Sequence, residues 1–286
     1  LSRAKTAEVD WTIDVTVPET DLAQLPLPPE KKEGLAGKAS VVVHAKGNRR
    51  DVTADVTVGL LGLSKGPLRG LDAKLEAPLD PSHTTATLAT KLQGEPLVTG
   101  RAEVAIAGKD LLARKGDLGD PAVDVKLELP KTKLTTLSPL APDGAVLGTI
   151  AVQGHVKNPE FAVHLEGEGL RTLSGKPAPT TLDAKGTLDE IRASIGVGTG
   201  VTVTAKVPPR AYLEAKKGEG LVPISLAIAA PKQKLVDVLP HVAALEPWAV
   251  DGQLTSDLSA DVVLRVKGDE RALEKLTVQG ALVVDE

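Results

Sequence analysis

The residues of this 286-residue chain whose types suit chemistry are five histidines, a few spaced carboxylates and one glycine cluster. His44 and His155 stand seven residues after Gly37 and Gly148, and Ser259 takes that place after Gly252. The shared spacing marks structural repetition on a solvated side. His155 and His164 are spaced to approach across a hairpin, yet two imidazoles without a third ligand make a poor metal site, and His83 and His241 stand apart. Gly196, Gly198 and Gly200 have the look of a phosphate loop, but an alternating segment follows from Val201 where a helix N-terminus would be needed, so they read as a turn. Asp10 with Asp14, and Glu166 with Glu168, share a polar face at period-two spacing, and acid/base catalysis would need one of each pair in a pocket that shifts its pKa. With no Cys, thiolate chemistry, disulfides and cysteine-type zinc sites are excluded, and there is neither a G-x-S-x-G elbow nor an N-glycosylation sequon. No metal, cofactor or enzymatic activity is expected.

The elements around these residues follow a period of two. From Val9 to Val17 every odd residue is apolar (Val9, Trp11, Ile13, Val15, Val17) and every even one is Asp or Thr. The same alternation sets Val123, Val125, Leu127 and Leu129 against Asp124, Lys126 and Glu128. It returns at Val201 to Val207, and along Leu254, Leu258, Ala260, Val262, Leu264 and Val266. Such strands carry one apolar face, which excludes a central parallel α/β sheet and points to an antiparallel meander. Turn residues such as Lys46-Gly47-Asn48, Lys157-Asn158-Pro159 and Lys267-Gly268-Asp269 separate the strands.

Three prolines mark an internal repeat. Pro18, Pro130 and Pro231 each open Pro-x-x-x-Leu, ending at Leu22, Leu134 and Leu235, and Gly37, Gly148 and Gly252 follow 19, 18 and 21 residues after them. Leu71-Asp72-Ala73-Lys74 returns as Leu182-Asp183-Ala184-Lys185. Short helical turns are expected after the prolines, where Leu22 and Leu25, Leu134 and Leu137, and Leu235, Val238 and Leu239 share a side. The repeat boundaries fall at 1–121, 122–223 and 224–286, the last copy partial, so the chain reads as a window in a longer array. The absence of Met suits an internal fragment, with any anchor outside it.

Composition supports a sheet with a shallow apolar face. Apolar residues make up 42% and aromatics 1%, so the apolar content is aliphatic. Trp11 and Phe161 fall on the apolar parity of their strands as wall residues, and Trp248 reads as a plug over apolar surface. The net charge of −4, with acids and bases interleaved, gives no electrostatic case for nucleic acid. No apolar run approaches the roughly 20 residues that span a bilayer, so the chain reads as soluble or peripheral.

The cycle of alternating strand, Pro-x-x-x-Leu turn, marker glycine and further strands, as between Val123 and Leu170, resembles the TamB/AsmA-like family of repeating β-groove proteins. The resemblance covers nearly the whole chain through patterned rather than catalytic motifs. The chain departs from the family in its few aromatics and in lacking the anchor and the terminal partner-binding region. What the resemblance implies is an all-β fold: an elongated, twisted antiparallel sheet curled into an open groove, apolar inside and charged outside. It further implies a place in the periplasm, bridging inner and outer membranes of a diderm bacterium, with an outer-membrane β-barrel partner engaged outside this chain.

The expected function is carriage of phospholipid acyl chains along the apolar face in support of outer-membrane biogenesis. The expected lining is Val9, Trp11, Ile13, Val15, Val17, Val41, Val43, Val123, Val125, Leu127, Leu129, Ile150, Val152, Phe161, Val163, Leu165, Leu254, Leu258, Val262, Leu264 and Val266. Two other readings stand beside it. One is a scaffold or chaperone that offers strand edges to outer-membrane β-barrel proteins or autotransporters; the other is a closed tandem β-sandwich stalk that takes no ligand.

Overall fold

A computed structural model of the chain describes residues 9–24, 28, 34–48, 51–66, 68–106, 119–137, 143–170, 178–198, 200–234 and 252–285. Leu25, Leu235, Val238, Leu239, His241 and Trp248 lie outside the described residues. The fold is all-β, and its strands form one 15-stranded antiparallel sheet, not closed into a barrel, in which strand order follows chain order. Contacts divide the chain into two compact units, residues 1–130 with 153–157, and residues 131–152 with 158–286.

The first unit is built on β1 (Trp11–Asp21), β2 (Ala36–Gly47), β3 (Val52–Lys65), β4 (Leu68–Leu79), β5 (Thr84–Leu92), β6 (Glu95–Val104) and most of β7 (Ala122–Lys133). Each strand pairs antiparallel with the next, and the register keeps apolar residues facing apolar residues. One row runs Val17, Val41, Val58, Leu75, Leu88, Gly100, Leu127 across all seven strands. A slip of one residue would turn each strand's aliphatic set to the polar side, so the alternation itself fixes the register.

The second unit continues through most of β8 (Ala145–His155), then β9 (Asn158–Leu170), β10 (Ala178–Thr187), β11 (Ile191–Val197), β12 (Val201–Val207), β13 (Glu219–Lys234), β14 (Gln253–Lys267) and β15 (Glu270–Asp285). Its apolar rows are as long. Val163, Ala184, Ala193, Ala205, Leu226, Ala260 and Val278 face one another from β9 to β15, and Leu165, Leu182, Ile195, Val203, Ile228, Leu258 and Gly280 form the next row.

The repeat markers recur every six strands. Pro18, Pro130 and Pro231 lie in β1, β7 and β13, and the two Leu-Asp-Ala-Lys segments lie in β4 and β10. Proline cannot donate to the ladder, and the ladders shift register between Val17 and Thr20 and between Ala230 and Gln233, across Pro18 and Pro231. Gly37, Gly148 and Gly252 all have positive φ, at 121°, 153° and 137°. At Gly148 an added Cβ would run into the backbone of His164 and Leu165, and at Gly37 into that of Leu61 and Leu63, so at both positions only glycine fits.

Helix is scarce, and its placement differs in part from expectation. A 3-10 turn (Leu22–Gln24) and a four-residue α1 (Leu134–Leu137) follow the first two marker prolines. A nine-residue α2 (Pro209–Lys217), not anticipated from the sequence, fills the β12–β13 connection. Pro209 lies at its first turn, where a missing N–H costs nothing, and Lys216 and Lys217 sit in its last turn, favourable to the helix dipole. Ala215 of α2 packs on Val222 and Val266, which are fully buried, with Tyr212, Ile224 and Leu264 around them.

Candidate functional site

The sheet presents two chemically distinct faces. Along β7, Val123, Val125, Leu127 and Leu129 are half-buried while Asp124, Lys126 and Glu128 are exposed. In a closed sandwich the inner positions would be buried like a domain core. Here, among the described residues, full burial of apolar side chains is confined to a few sites, chiefly strand ends and the ground beneath α2. Ile13, Val15 and Val17 on β1 and Ile150 on β8 are 50, 44, 38 and 37% exposed. The rest of the face is shielded sideways by its own neighbours, as where Leu127 leans over Gly100 and the Trp11 ring lies against Gly47.

Most of the expected lining falls on this face. Trp11, Ile13, Val15 and Val17 pair in register with Gly47, Ala45, Val43 and Val41, and Val123 and Val125 stand opposite Val104 and Ala102. Phe161, Val163 and Leu165 face Gly186, Ala184 and Leu182, while Leu258 and Val262 face Ile228 and Ile224. Thr149 and Ala151 border the same polar-face hollow as Ala162 and His164, which leaves Ile150 and Val152 on the apolar side. Leu254 opens the corresponding row of β14 opposite Val284.

Two residues are corrected. Val9 precedes β1 and is 72% exposed, because β2 ends at Gly47 opposite Trp11 and leaves Val9 no strand partner. Val266 is fully buried under α2, and Leu264 is packed against the same cluster, so Val266 is core rather than open wall. Arg271, opposite Val266 on β15, donates from Nε and Nη2 to the Tyr212 hydroxyl at 3.1 and 2.5 Å. Its guanidinium carbon lies 5.7 Å from the ring centroid, as expected for a group bound at the hydroxyl rather than stacked on the ring. That hydrogen bond holds the Arg271 pKa up, and Lys216 on Asp269 at 3.0 Å ties the helix to the β14–β15 turn and depresses the Asp269 carboxyl.

On the polar face the residues that suit chemistry are held by hydrogen bonds and contacts with neighbouring side chains. His44 contacts Asp14 at 2.7 Å, Asn48 donates to Asp10 at 3.3 Å, and His155 hydrogen-bonds the Asp120 carbonyl at 2.9 Å. Glu168 pairs with Lys131, and His83 approaches Asp80 at 3.4 Å. His164 lies between Asp183, 2.6 Å from Nδ1, and Glu166, 3.1 Å from Nε2, and these two hydrogen bonds, Asp183's foremost, raise its pKa above the ordinary histidine value. The two carboxylates use different ring nitrogens, so they cannot share one cation with the imidazole. Among the described residues no group of three His, Asp or Glu converges on a metal position. The cluster Gly196-Val197-Gly198 ends β11 and turns into β12, where the Gly200 N–H donates to the Val197 carbonyl.

Hollows open on the polar face among the described residues. One, of about 460 Å³ in the first unit, is bordered by Glu19, Lys38, Ser40, Asp72, Lys74 and Lys91. Another, of about 630 Å³ in the second unit, is bordered by His164, Asp183, Lys185, Arg192, Ser194 and Lys206. Sequence reasoning did not find these hollows, because they form where side chains from neighbouring strands meet.

No protein-family model, curated protein or solved structure matches the chain. The class that fold and faces define is an open antiparallel β-sheet with one aliphatic and one ionic face.

Proposed function

We propose that this chain carries phospholipid acyl chains along the aliphatic face of its sheet, between the inner and outer membranes of a diderm bacterium. The observation that supports the reading is the seven-strand apolar rows, one in the first unit and two in the second, left only partly buried. Seven strands at about 4.8 Å spacing span about 29 Å, against the roughly 15 Å of hydrocarbon in one bilayer leaflet, so a row is long enough to shield an acyl chain. Aliphatic contact rewards any apolar chain at about 25 cal/mol per Å² of buried area and selects none by hydrogen bonding. No catalytic step belongs to this function. The periplasmic location and an outer-membrane β-barrel partner rest on the resemblance to the TamB/AsmA-like family alone.

Native mass spectrometry of the chain purified without detergent from bacterial cells tests the reading. One or more phospholipids per chain is the expected result, and a lipid-free chain overturns it. A second reading, assembly of β-barrel proteins by strand addition, draws on β15, which has β14 as its one strand neighbour among the described residues and leaves Leu273, Leu276, Val278 and Leu282 more than half exposed. It predicts that proline within β15 abolishes function while charges on the aliphatic face do not.

A further inference from the structure

A row of three cations crosses the polar face of the second unit. Lys185 stands directly opposite Arg192, and Arg192 opposite Lys206, on three successive strands. Three positive side chains thus lie abreast within about 10 Å, two strand spacings. Like charges directly opposite one another destabilise a sheet. At other places on the polar faces a cation sits beside its own carboxylate, as Lys74 does with Glu76 and Lys126 with Glu128. Here Glu190 serves Arg192 at 2.6 Å and reaches Lys206 through the field alone, which together hold its carboxyl below the usual range. Asp183, two residues from Lys185, is occupied by His164, and Lys185 has no ion pair among the described residues.

The repeat supplies an internal comparison. The two Leu-Asp-Ala-Lys segments place Lys185 on Lys74, and the register then places Arg192 on Ala89 and Lys206 on Thr99. In that row the first copy therefore has one cation, paired with Glu76, where the second copy has three. The fold does not need the two extra charges. The row borders the 630 Å³ hollow, which Thr149, Ser194 and Thr204 border with their hydroxyls, and Ser194 faces Thr204 in the row beside the cations.

We propose that this hollow is a binding site for a phosphate-bearing dianion, whose oxygens accept hydrogen bonds from the Arg192 guanidinium, the Lys185 and Lys206 ammonium groups and the neighbouring hydroxyls. It lies on the face opposite the proposed acyl-chain surface and does not rest on that reading. The ligand is either a soluble phosphorylated compound or a lipid headgroup.

The test titrates the 286-residue chain with inorganic pyrophosphate by calorimetry, and separately with phosphatidylcholine vesicles containing phosphatidic acid by co-sedimentation. The variant Arg192→Ala with Lys206→Thr, which recreates the first copy's row, should keep the circular-dichroism spectrum and lose at least tenfold in affinity. Lys185→Gln, at a position without an ion-pair partner, should weaken binding severalfold and serves if the double variant misfolds. Pyrophosphate binding that falls with added salt, without vesicle binding, assigns a soluble ligand; vesicle binding lost in the variants assigns a headgroup. Failure of the wild-type chain to bind either, or equal binding by wild type and variants, overturns the site.

Discussion

Val125→Asp separates the fold from the function proposed for it. Val125 sits mid-strand in β7 opposite Ala102, on the aliphatic face and half-buried. Complete burial of a valine side chain is worth roughly 1.5–3 kcal/mol, so removing a half-buried one costs about 1 kcal/mol, against a total stability of about 5–15 kcal/mol. The new carboxylate stays hydrated while the face is empty. A lipid chain lying across it would strip that water, and holding the carboxyl protonated at pH 7 instead, from an ordinary pKa near 3.9, costs about 4 kcal/mol. Occupancy across that position should therefore fall by up to about a thousandfold. Lipid bound per chain by native mass spectrometry, and transfer between donor and acceptor vesicles, should both drop while the urea midpoint moves little. Val222→Asp is the contrast, because Val222 is fully buried beneath α2 and an unpaired carboxylate there costs several kcal/mol of stability itself. Unchanged lipid loading in folded Val125→Asp would refute the reasoning.

Other consequences concern the architecture. Gly148→Ala should cost about 3 kcal/mol or more in urea unfolding, since a positive φ of 153° is joined to a backbone collision. Gly66→Ala, at φ 60° with open space around it, should cost only about 1 kcal/mol, and equal costs would contradict the explanation of the marker glycine. Val222→Ala should cost about 2–3 kcal/mol by leaving a cavity under α2, measured by the same unfolding curves. Proton titration of His164 by NMR should give a pKa above the ordinary histidine value, and Asp183→Asn should lower it. Because the folded pKa is the raised one, the stability contributed by the pair is fully present below the ordinary histidine pKa and is lost as pH rises through the raised value. A urea midpoint that increased over that interval through His164 would have the wrong sign.

The sequence revealed what is local and periodic. Val123 to Leu129 announce their two faces by alternation alone, and the half-buried and exposed positions of β7 follow it residue by residue. Gly37, Gly148 and Gly252 were recognisable as a register mark by spacing, and the positive φ they share explains why glycine recurs. What escaped depended on neighbours across the sheet. Val266 carries the same parity as Leu258 and Val262, but α2 covers it alone among them, and the helix that starts at Pro209 was not anticipated. The alignment of Lys185, Arg192 and Lys206 depends on where two hairpins reverse, which residue spacing within one strand does not state.

Photo-crosslinking along β7 tests the central proposal most directly. A photoreactive residue placed in turn at each position from 122 to 129, in the chain expressed in diderm cells, should capture phospholipid with a period of two. Positions Val123, Val125, Leu127 and Leu129 should label, and Asp124, Lys126 and Glu128 should not. Uniform labelling, labelling confined to the ionic positions, or no lipid adduct at any of the eight would contradict carriage of acyl chains on this face.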